Sequence, residues 1–459
     1  MASLNKVEAQ PVATAGTPEK KPETTPEKQL KRWQKITVWV LRVLVGGLFV
    51  FSGVVKGIDL WGFMFKLEEY LAAWDMSQPR SVVLMAAMAV SAYETVFGFL
   101  LMTGCYKRVA PWALTLSMAV MLPLTAYIAV AEPVSDCGCF GDFWVISNTA
   151  TFVKNIFITA ALVFLIIYSP RMKSGLYKPA IQWLAGATVT LYIIMVGLYG
   201  YNIQPMLDFR PYPPGTQLVA AETEEEDEAY DADIPVFIYE KEGKRLEFTA
   251  DDLPDSTWTF VERKDRGNAV SSHPDGFAIF DGEDDVTDTA LTADGTVLIL
   301  VIPELRLADI SYTYYINDLY EKADSAGMAM VALIGASEKG IEMWKDISMA
   351  AYPCYSVEDT ALKELSRGLM SLVLLQDGRI KGKATVSSLV NGKYDDYEPL
   401  TAVKELSDTP HGAIFNLLTG FFAIFLILLY LLQHIILGLR IKIRNILKKH
   451  VDKHSVKNK

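Results

Sequence analysis

The chain is poor in the residues that most often hold metals: its 459 positions include only five histidines and four cysteines. No histidine stands near a cysteine pair, so a conventional zinc site, with four nitrogen or sulfur ligands at set spacings, is not expected. Cys-x-x-Cys does not occur, which removes the usual dithiol of a soluble oxidoreductase. The first 32 residues lack the apolar core of a secretory signal and are rich in Pro, Thr, Lys and Glu. They read as a disordered tail, and the apolar segment after them as an uncleaved anchor. The one dense basic cluster lies beside a membrane span, so nucleic acid is not an expected partner.

The sequence is not short of apolar residues, which make up 51% of it, but they are unevenly distributed. Residues 203–412 carry 41 acidic and 18 basic side chains, leaving 13 acidic and 25 basic for the rest, which also holds the long apolar runs. An acidic soluble domain is thus joined to a basic-edged membrane domain. A bilayer takes about 20 apolar residues to cross. Six segments qualify: 36–55, 82–102, 110–130, 152–168, 181–201 and 413–437.

Basic residues concentrate on one side of these spans. Lys28, Lys31, Arg32 and Lys35 precede the first, Lys107 and Arg108 follow the second, and Arg171, Lys173 and Lys178 follow the fourth. Eight basic residues and the single acid Asp452 follow the last span. The alternate loops hold Asp59, Glu68, Glu69 and Asp75, then Glu132, Asp136 and Asp142. The positive-inside rule then places both termini in the cytoplasm and the acidic domain outside, in the periplasm of a bacterial inner membrane.

The outward loop between the third and fourth spans contains Cys137-Gly138-Cys139-Phe140-Gly141, and Lys154 and Asn155 open the span that follows. Three chemistries suit two thiols one residue apart. They can form a disulfide that exchanges with a partner, since a bridge across one intervening residue is strained and easily reduced. They can bind a soft ion such as Cu(I), with a methionine from the bundle. Or they can be permanently bridged to shape the loop, given an oxidising compartment. Lys154 near a thiol lowers its pKa, although a lysine at a helix end also snorkels to water. Cys105 belongs to the other side of the membrane, and Cys354 reads as a small buried residue.

Within the spans, Arg42 and Glu94 stand out, because a charge at mid-membrane is costly and normally finds a partner. Counting at 1.5 Å per residue puts both about 10–15 Å from the cytoplasmic boundary on antiparallel helices. An Arg42–Glu94 pair is therefore expected, either fixing the bundle or serving a proton or substrate relay. Gly46, Gly47, Ser52 and Gly53 give the first span a small-residue face for close helix packing. Residues 59–74 alternate acids with Trp61, Phe63, Phe65, Leu67 and Trp74, as a short helix at the outer interface would.

On these residues the first four spans resemble the DoxX/MauE group of four-helix membrane proteins. The resemblance rests on Arg42, Gly53 to Lys56, Glu94 with Gly98, and Cys137-Gly138-Cys139-Phe140-Gly141 followed by Lys154-Asn155. It implies periplasmic thiol chemistry: helping a partner enzyme acquire disulfides, or oxidising sulfur compounds.

In the acidic region, 221–233 reads as a linker, followed by strands within 234–248 and 277–302. The run 297–302 is apolar throughout, as in a strand buried on both faces. Helical periodicity over 311–323, a strand at 328–334, helices at 337–349 and 359–367, and a hairpin of 370–376 with 380–384 across Asp377-Gly378 follow in order. A last helix is expected at 400–406. This order resembles a thioredoxin-like fold. A redox thioredoxin carries its two cysteines after the first of these strands and a cis-proline before the hairpin. Here Pro303-Glu304-Leu305-Arg306-Leu307 and Gly368-Leu369-Met370 stand there. The resemblance therefore implies a non-catalytic domain that holds a client or partner.

The expected organisation is a tail at 1–32, a four-helix membrane bundle at 33–170, a fifth span at 177–202 and an acidic linker at 203–233. A thioredoxin-like domain with an N-terminal strand extension follows at 234–408, then a sixth span at 412–438 and a basic tail at 439–459. The expected function is a membrane-bound thiol–disulfide accessory or maturation factor that uses Cys137 and Cys139, with Lys154 tuning them. The alternative is a non-catalytic scaffold or assembly subunit with structural cysteines. No cofactor motif is recognised; a quinone or Cu(I) would be the group such thiols meet. Expected partners are the lipid bilayer and a periplasmic client or a membrane partner subunit.

Overall fold

A computed structural model of the chain describes residues 30–219 except 133, 135–136, 173 and 177, then three strands within 236–264, residues 277–390 except 292–293, residue 406, and 410–457. The tail at 1–29, residues 220–233 of the expected linker and residues 400–405 of the helix expected at 400–406 lie outside the described residues. The expected linker's first part is no linker, since Tyr212, Leu218 and Val219 are buried in a core cluster with Phe277 and Val373.

Among the described residues, six helices are long and apolar enough to cross a membrane. They are α1 (Arg32–Ile58), α3 (Arg80–Thr103), α4 (Val109–Ala131), α5 (Asn148–Tyr168), α6 (Pro179–Asn202) and α10 (His411–Lys457). Between α1 and α3, helix α2 (Leu60–Ala73) forms where the aromatic-acidic segment stood, with the Asp59 side chain accepting the Gly62 amide at its start. It is less superficial than an interfacial helix, since Leu60, Trp61, Phe63 and Met64 pack with Val83 and Ala87 of α3.

Glycine sets how α1 meets α3. A Cβ on Gly46 would lie 2.7 Å from the Gly98 carbonyl oxygen and from the Met102 nitrogen, and one on Gly98 would lie 2.7 Å from the Val50 nitrogen. The two backbones touch here, which fixes their register. Helix α10 differs from the expected short span with a separate tail: it runs unbroken for 47 residues and contains no proline. Its near end is held by a 2.7 Å hydrogen bond between Tyr199 and His411, and further along Gln433 donates to the Gly175 carbonyl at 2.9 Å.

The soluble region contains two sheets. Strands β1 (Val236–Lys241), β2 (Lys244–Phe248) and β3 (Thr259–Lys264) form an antiparallel sheet of their own, in the order β2-β1-β3. The expected strand extension is thus a separate sheet. The larger sheet takes β4 (Ile279–Asp281), β5 (Asp284–Asp285), β6 (Thr296–Ile302), β7 (Ala329–Ile334), β8 (Cys354–Val357), β9 (Ser371–Gln376) and β10 (Arg379–Thr385), in the order β10-β9-β6-β7-β8-β4-β5. β6, β7 and β8 are parallel, joined by α7 (Thr313–Ser325) and α8 (Glu338–Ser348), and α9 (Asp359–Leu365) leads into the antiparallel β9–β10 hairpin. The hairpin turns at Asp377 and Gly378 with φ of 51° and 68°, the left-handed pair that an Asp-Gly turn supplies.

Strand β6 explains why its sequence shows no alternation. Leu298, Leu300 and Ile302 pack with Ile316, Leu319 and Trp344 of α7 and α8, whereas Val297, Ile299 and Val301 pack with Leu362, Leu365 and Phe277 on the other face. Both faces are covered, so every position is apolar. Cys354 lies in this core at 3% exposure, and burial raises its thiol pKa to about 11. Where β10 meets the chain leaving α6, Lys383 bonds to Asp208 at 3.0 Å and to the Tyr212 carbonyl, and burial holds its ammonium down to a pKa of about 7.

Candidate functional site

The Cys-Gly-Cys loop lies over the end of the bundle where α1 passes into α2. Gly138 and Gly141, at φ of 61° and 52°, turn the chain tightly enough to bring both thiols to one side. Their sulfurs stand 2.9 Å apart. Two hydroxyls pin the loop from below. Tyr70 of α2 donates to the Cys137 carbonyl at 2.8 Å, and Ser52 of α1 lies 2.7 Å from the Cys139 carbonyl. Phe140 is buried, 5.7 Å from the Phe51 ring, and the Lys154 ammonium caps its face at 4.3 Å. Lys154 and Cys139 line the same small cavity.

Beneath Cys139 lies a buried polar group that hydropathy does not reveal. Lys56 Nζ is 2.7 Å from Glu94 Oε2 and 2.7 Å from Ser52 Oγ, and Ser52 Oγ is 2.8 Å from the same carboxylate oxygen. The serine carries one proton, which serves either Glu94 or the Cys139 carbonyl at a given moment. Cys139, Glu94, Lys56, Lys154, Met118 and Met121 line one cavity of about 40 Å³. That is room for a few water molecules at most and far too small for an organic cofactor. The Lys56 and Lys154 ammoniums that line it favour a thiolate there over a bound cation. Among the described residues no cluster of three histidine, cysteine or acidic side chains is placed to hold a metal.

The Arg42–Glu94 pair expected from residue counting does not form. Arg42 bonds to Ser169 at the far end of α5: Nε donates to its hydroxyl at 3.0 Å and Nη2 to its carbonyl at 2.8 Å. The Gly46–Gly98 contact sets Glu94 level with Ser52 and Lys56, ten and fourteen residues, or about 15 and 21 Å, beyond Arg42 along α1. Arg42 is therefore an anchor at the end remote from the thiols, where helix C-terminal carbonyls favour a cation. A relay joining Arg42 to Glu94 has no support in this arrangement.

The two thiols differ in acidity. A hydrogen bond from Cys137, aided by the Lys154 and Lys56 ammoniums and opposed by burial and Glu94, lowers Cys139 to about 7. The same bond, with burial, raises Cys137. Cys139 keeps part of its surface exposed whereas Cys137 is buried, and Cys139 is the thiolate of the pair. Cys105 sits at the opposite end of α4, about 35 Å away along that 23-residue helix, fully buried and raised in pKa by burial.

The soluble domain reaches this site directly. Arg367, between α9 and β9, has Nη2 2.6 Å from Asp59 Oδ2 and 2.5 Å from Asp142 Oδ2, while its Nε spans both Asp59 oxygens. Burial opposes ionisation of Asp59, but the guanidinium outweighs it and holds the carboxyl below its usual range. Glu304, in the turn after β6, lies 3.6 Å from Arg80 and 3.2 Å from Lys363. Sequence reading used Asp59 and Asp142 only as loop charges. Arg367, 308 positions away from Asp59, carries no local signal at all.

Two family models match the chain. One, a domain of unknown function (DUF8463), covers residues 235–266, the small three-stranded sheet. The other is the methylamine utilisation protein MauE, over residues 34–168. No curated protein and no solved structure matches. The MauE match spans α1 to α5 and takes in Ser52, Lys56, Glu94 and both loop cysteines. The N-terminal helical region of this membrane protein is a MauE-like module.

Proposed function

We propose that the protein is a thiol–disulfide accessory or maturation factor of the bacterial inner membrane, with the Cys-Gly-Cys loop and the soluble domain in the periplasm. The distribution of Lys and Arg among the loops supports that orientation. The observation that carries the chemistry is the thiol pair itself: two facing sulfurs, one thiolate-stabilised and partly exposed, on a loop pinned by Tyr70 and Ser52. The reaction is a reversible exchange. The Cys137–Cys139 disulfide and a client dithiol become the reduced pair and a client disulfide, and two electrons and two protons move together. A client thiolate attacks Cys139 and Cys137 leaves; the client's second thiol then displaces Cys139, and in the reverse direction Cys137 resolves the mixed disulfide on Cys139.

The soluble domain fits a thioredoxin-like reading, with parallel β6 and β7 beside the antiparallel β9–β10 hairpin. The turn after β6 holds Glu304 and Arg306 where a dithiol would be needed, so the domain positions rather than exchanges. That same loss favours the second reading, a non-catalytic scaffold whose loop cysteines are structural. Acid trapping, alkylation and mass mapping in intact cells separate the two. Exchange predicts that Cys137→Ser accumulates a mixed disulfide on Cys139 and that Cys139→Ser does not. Full function after both substitutions, or a wild-type pair that stays oxidised under mild reductant, refutes exchange.

A further inference from the structure

Arg367 holds two carboxylates in different circumstances. Asp59 closes α1 and is nearly buried, with 10% of its side chain exposed, whereas Asp142 belongs to the turn immediately after Cys139-Phe140-Gly141 and is 38% exposed. The guanidinium between them is 4% exposed. Its backbone is fixed as well: Gln204, just past α6, donates to the Arg367 carbonyl at 2.6 Å and accepts its amide at 3.2 Å. Leu369 packs against the aromatic cluster of α2 and α3, so the soluble domain is seated whether or not the Asp142 arm is made. One arm is a permanent joint and the other is open to water and to salt.

We infer that Arg367 is a positioning residue that latches the Cys-Gly-Cys loop shut: its bond to Asp142 keeps Cys139 against its socket on α1, and opening that arm presents Cys139 while the Asp59 arm keeps the domain docked. The loop is otherwise held by groups that do not connect it to the soluble domain, namely Tyr70, Ser52 and the Phe140 contacts. Phe143 adds a second link, edge-on to Phe209 at 4.9 Å. A movement of the soluble domain thus reaches the thiols through a short turn. The meaning of the latch rests on the exchange reading, but the access it controls does not.

The test is residue-resolved alkylation of the reduced, full-length protein in detergent with a maleimide, followed across pH so that plateau rates of the thiolate are compared. Removing a negative charge near Cys139 lowers its titration midpoint and, through the weaker nucleophilicity of a less basic thiolate, can only lower the plateau, whereas a freed loop raises the plateau. Asp142→Asn, which spares the Asp59–Arg367 joint, should raise the Cys139 plateau about tenfold, with Arg367→Gln at least as effective. Cys105 and Cys354 in the same samples should react as in wild type. A Cys139 plateau within about twofold of wild type in Asp142→Asn overturns the latch, as does acceleration of all the cysteines together. If Arg367→Gln does not fold, Asp142→Asn decides alone. Because no disulfide chemistry enters the assay, the latch stands or falls separately from the exchange reaction.

Discussion

Removing the Cys137 thiol should reverse the order of Cys139 reactivity between neutral and alkaline pH. The hydrogen bond from Cys137 is the largest cause of the fall in Cys139 from an ordinary 9 to about 7. Cys137→Ala removes the donor and should move the midpoint most of the way back toward 9. At pH 7 the thiolate fraction then drops from about one half to about 1%, roughly 50-fold. A more basic thiolate is also the better nucleophile, by about tenfold over two units at a Brønsted slope near 0.5. The net expectation is alkylation about fivefold slower than wild type at pH 7 and about tenfold faster at pH 10, where both forms are ionised. Cys137→Ser keeps an O–H donor and should stay near the wild-type midpoint. The assay is iodoacetamide labelling of the reduced protein, read at Cys139 by mass spectrometry from pH 5 to 10.5. Curves for the Ala and Ser variants that superimpose, or that never cross wild type, would refute the assignment of the acid shift to the Cys137 bond.

Two further outcomes test the bundle beneath the loop. Glu94→Ala strands the Lys56 ammonium, 4% exposed, and should cost about 3–5 kcal/mol, seen as a lower melting temperature in detergent. Adding Lys56→Met should recover most of that loss, and a double variant as unstable as the single one would show that the pair is not the cause. At the helix crossing, Gly46→Leu should destabilise by about 1–3 kcal/mol or more, because its Cβ meets the Gly98 and Met102 backbone. Gly47→Leu, with nothing within 4 Å of its Cβ, should be tolerated, and equal loss at both positions would contradict the crossing geometry.

The spans, the parallel strands and the Asp-Gly hairpin were legible because each is written in local pattern: apolar length, continuous β-branched and leucine runs, and a turn that needs left-handed residues. Arg42 and Glu94 show where such reading stops. Their depths were counted from the helix ends, but two antiparallel helices slide until their small residues meet, and Gly46 against Gly98 moved Glu94 to the level of Lys56. Lys56 entered the sequence reading only as the end of the Gly53-to-Lys56 segment, and nothing local pairs it with a carboxylate 38 positions away. The thiols and Lys154 were findable as a motif. Asp59, Asp142 and Arg367 were not, since three charges drawn from distant segments become a cluster only in the folded chain.

Helix α10 has a mechanical consequence. At 1.5 Å per residue its 47 residues extend about 70 Å, more than twice the roughly 30 Å of hydrocarbon it crosses. The excess lies on the face of the membrane opposite the soluble domain, and side chains 440–447 on it are exposed. With no proline to absorb a bend, and held both at the Tyr199–His411 contact and at Gln433, the helix projects a stiff arm of 24 residues, about 36 Å, beyond Gln433. Each 5° of tilt at Gln433 displaces the far tip by about 3 Å.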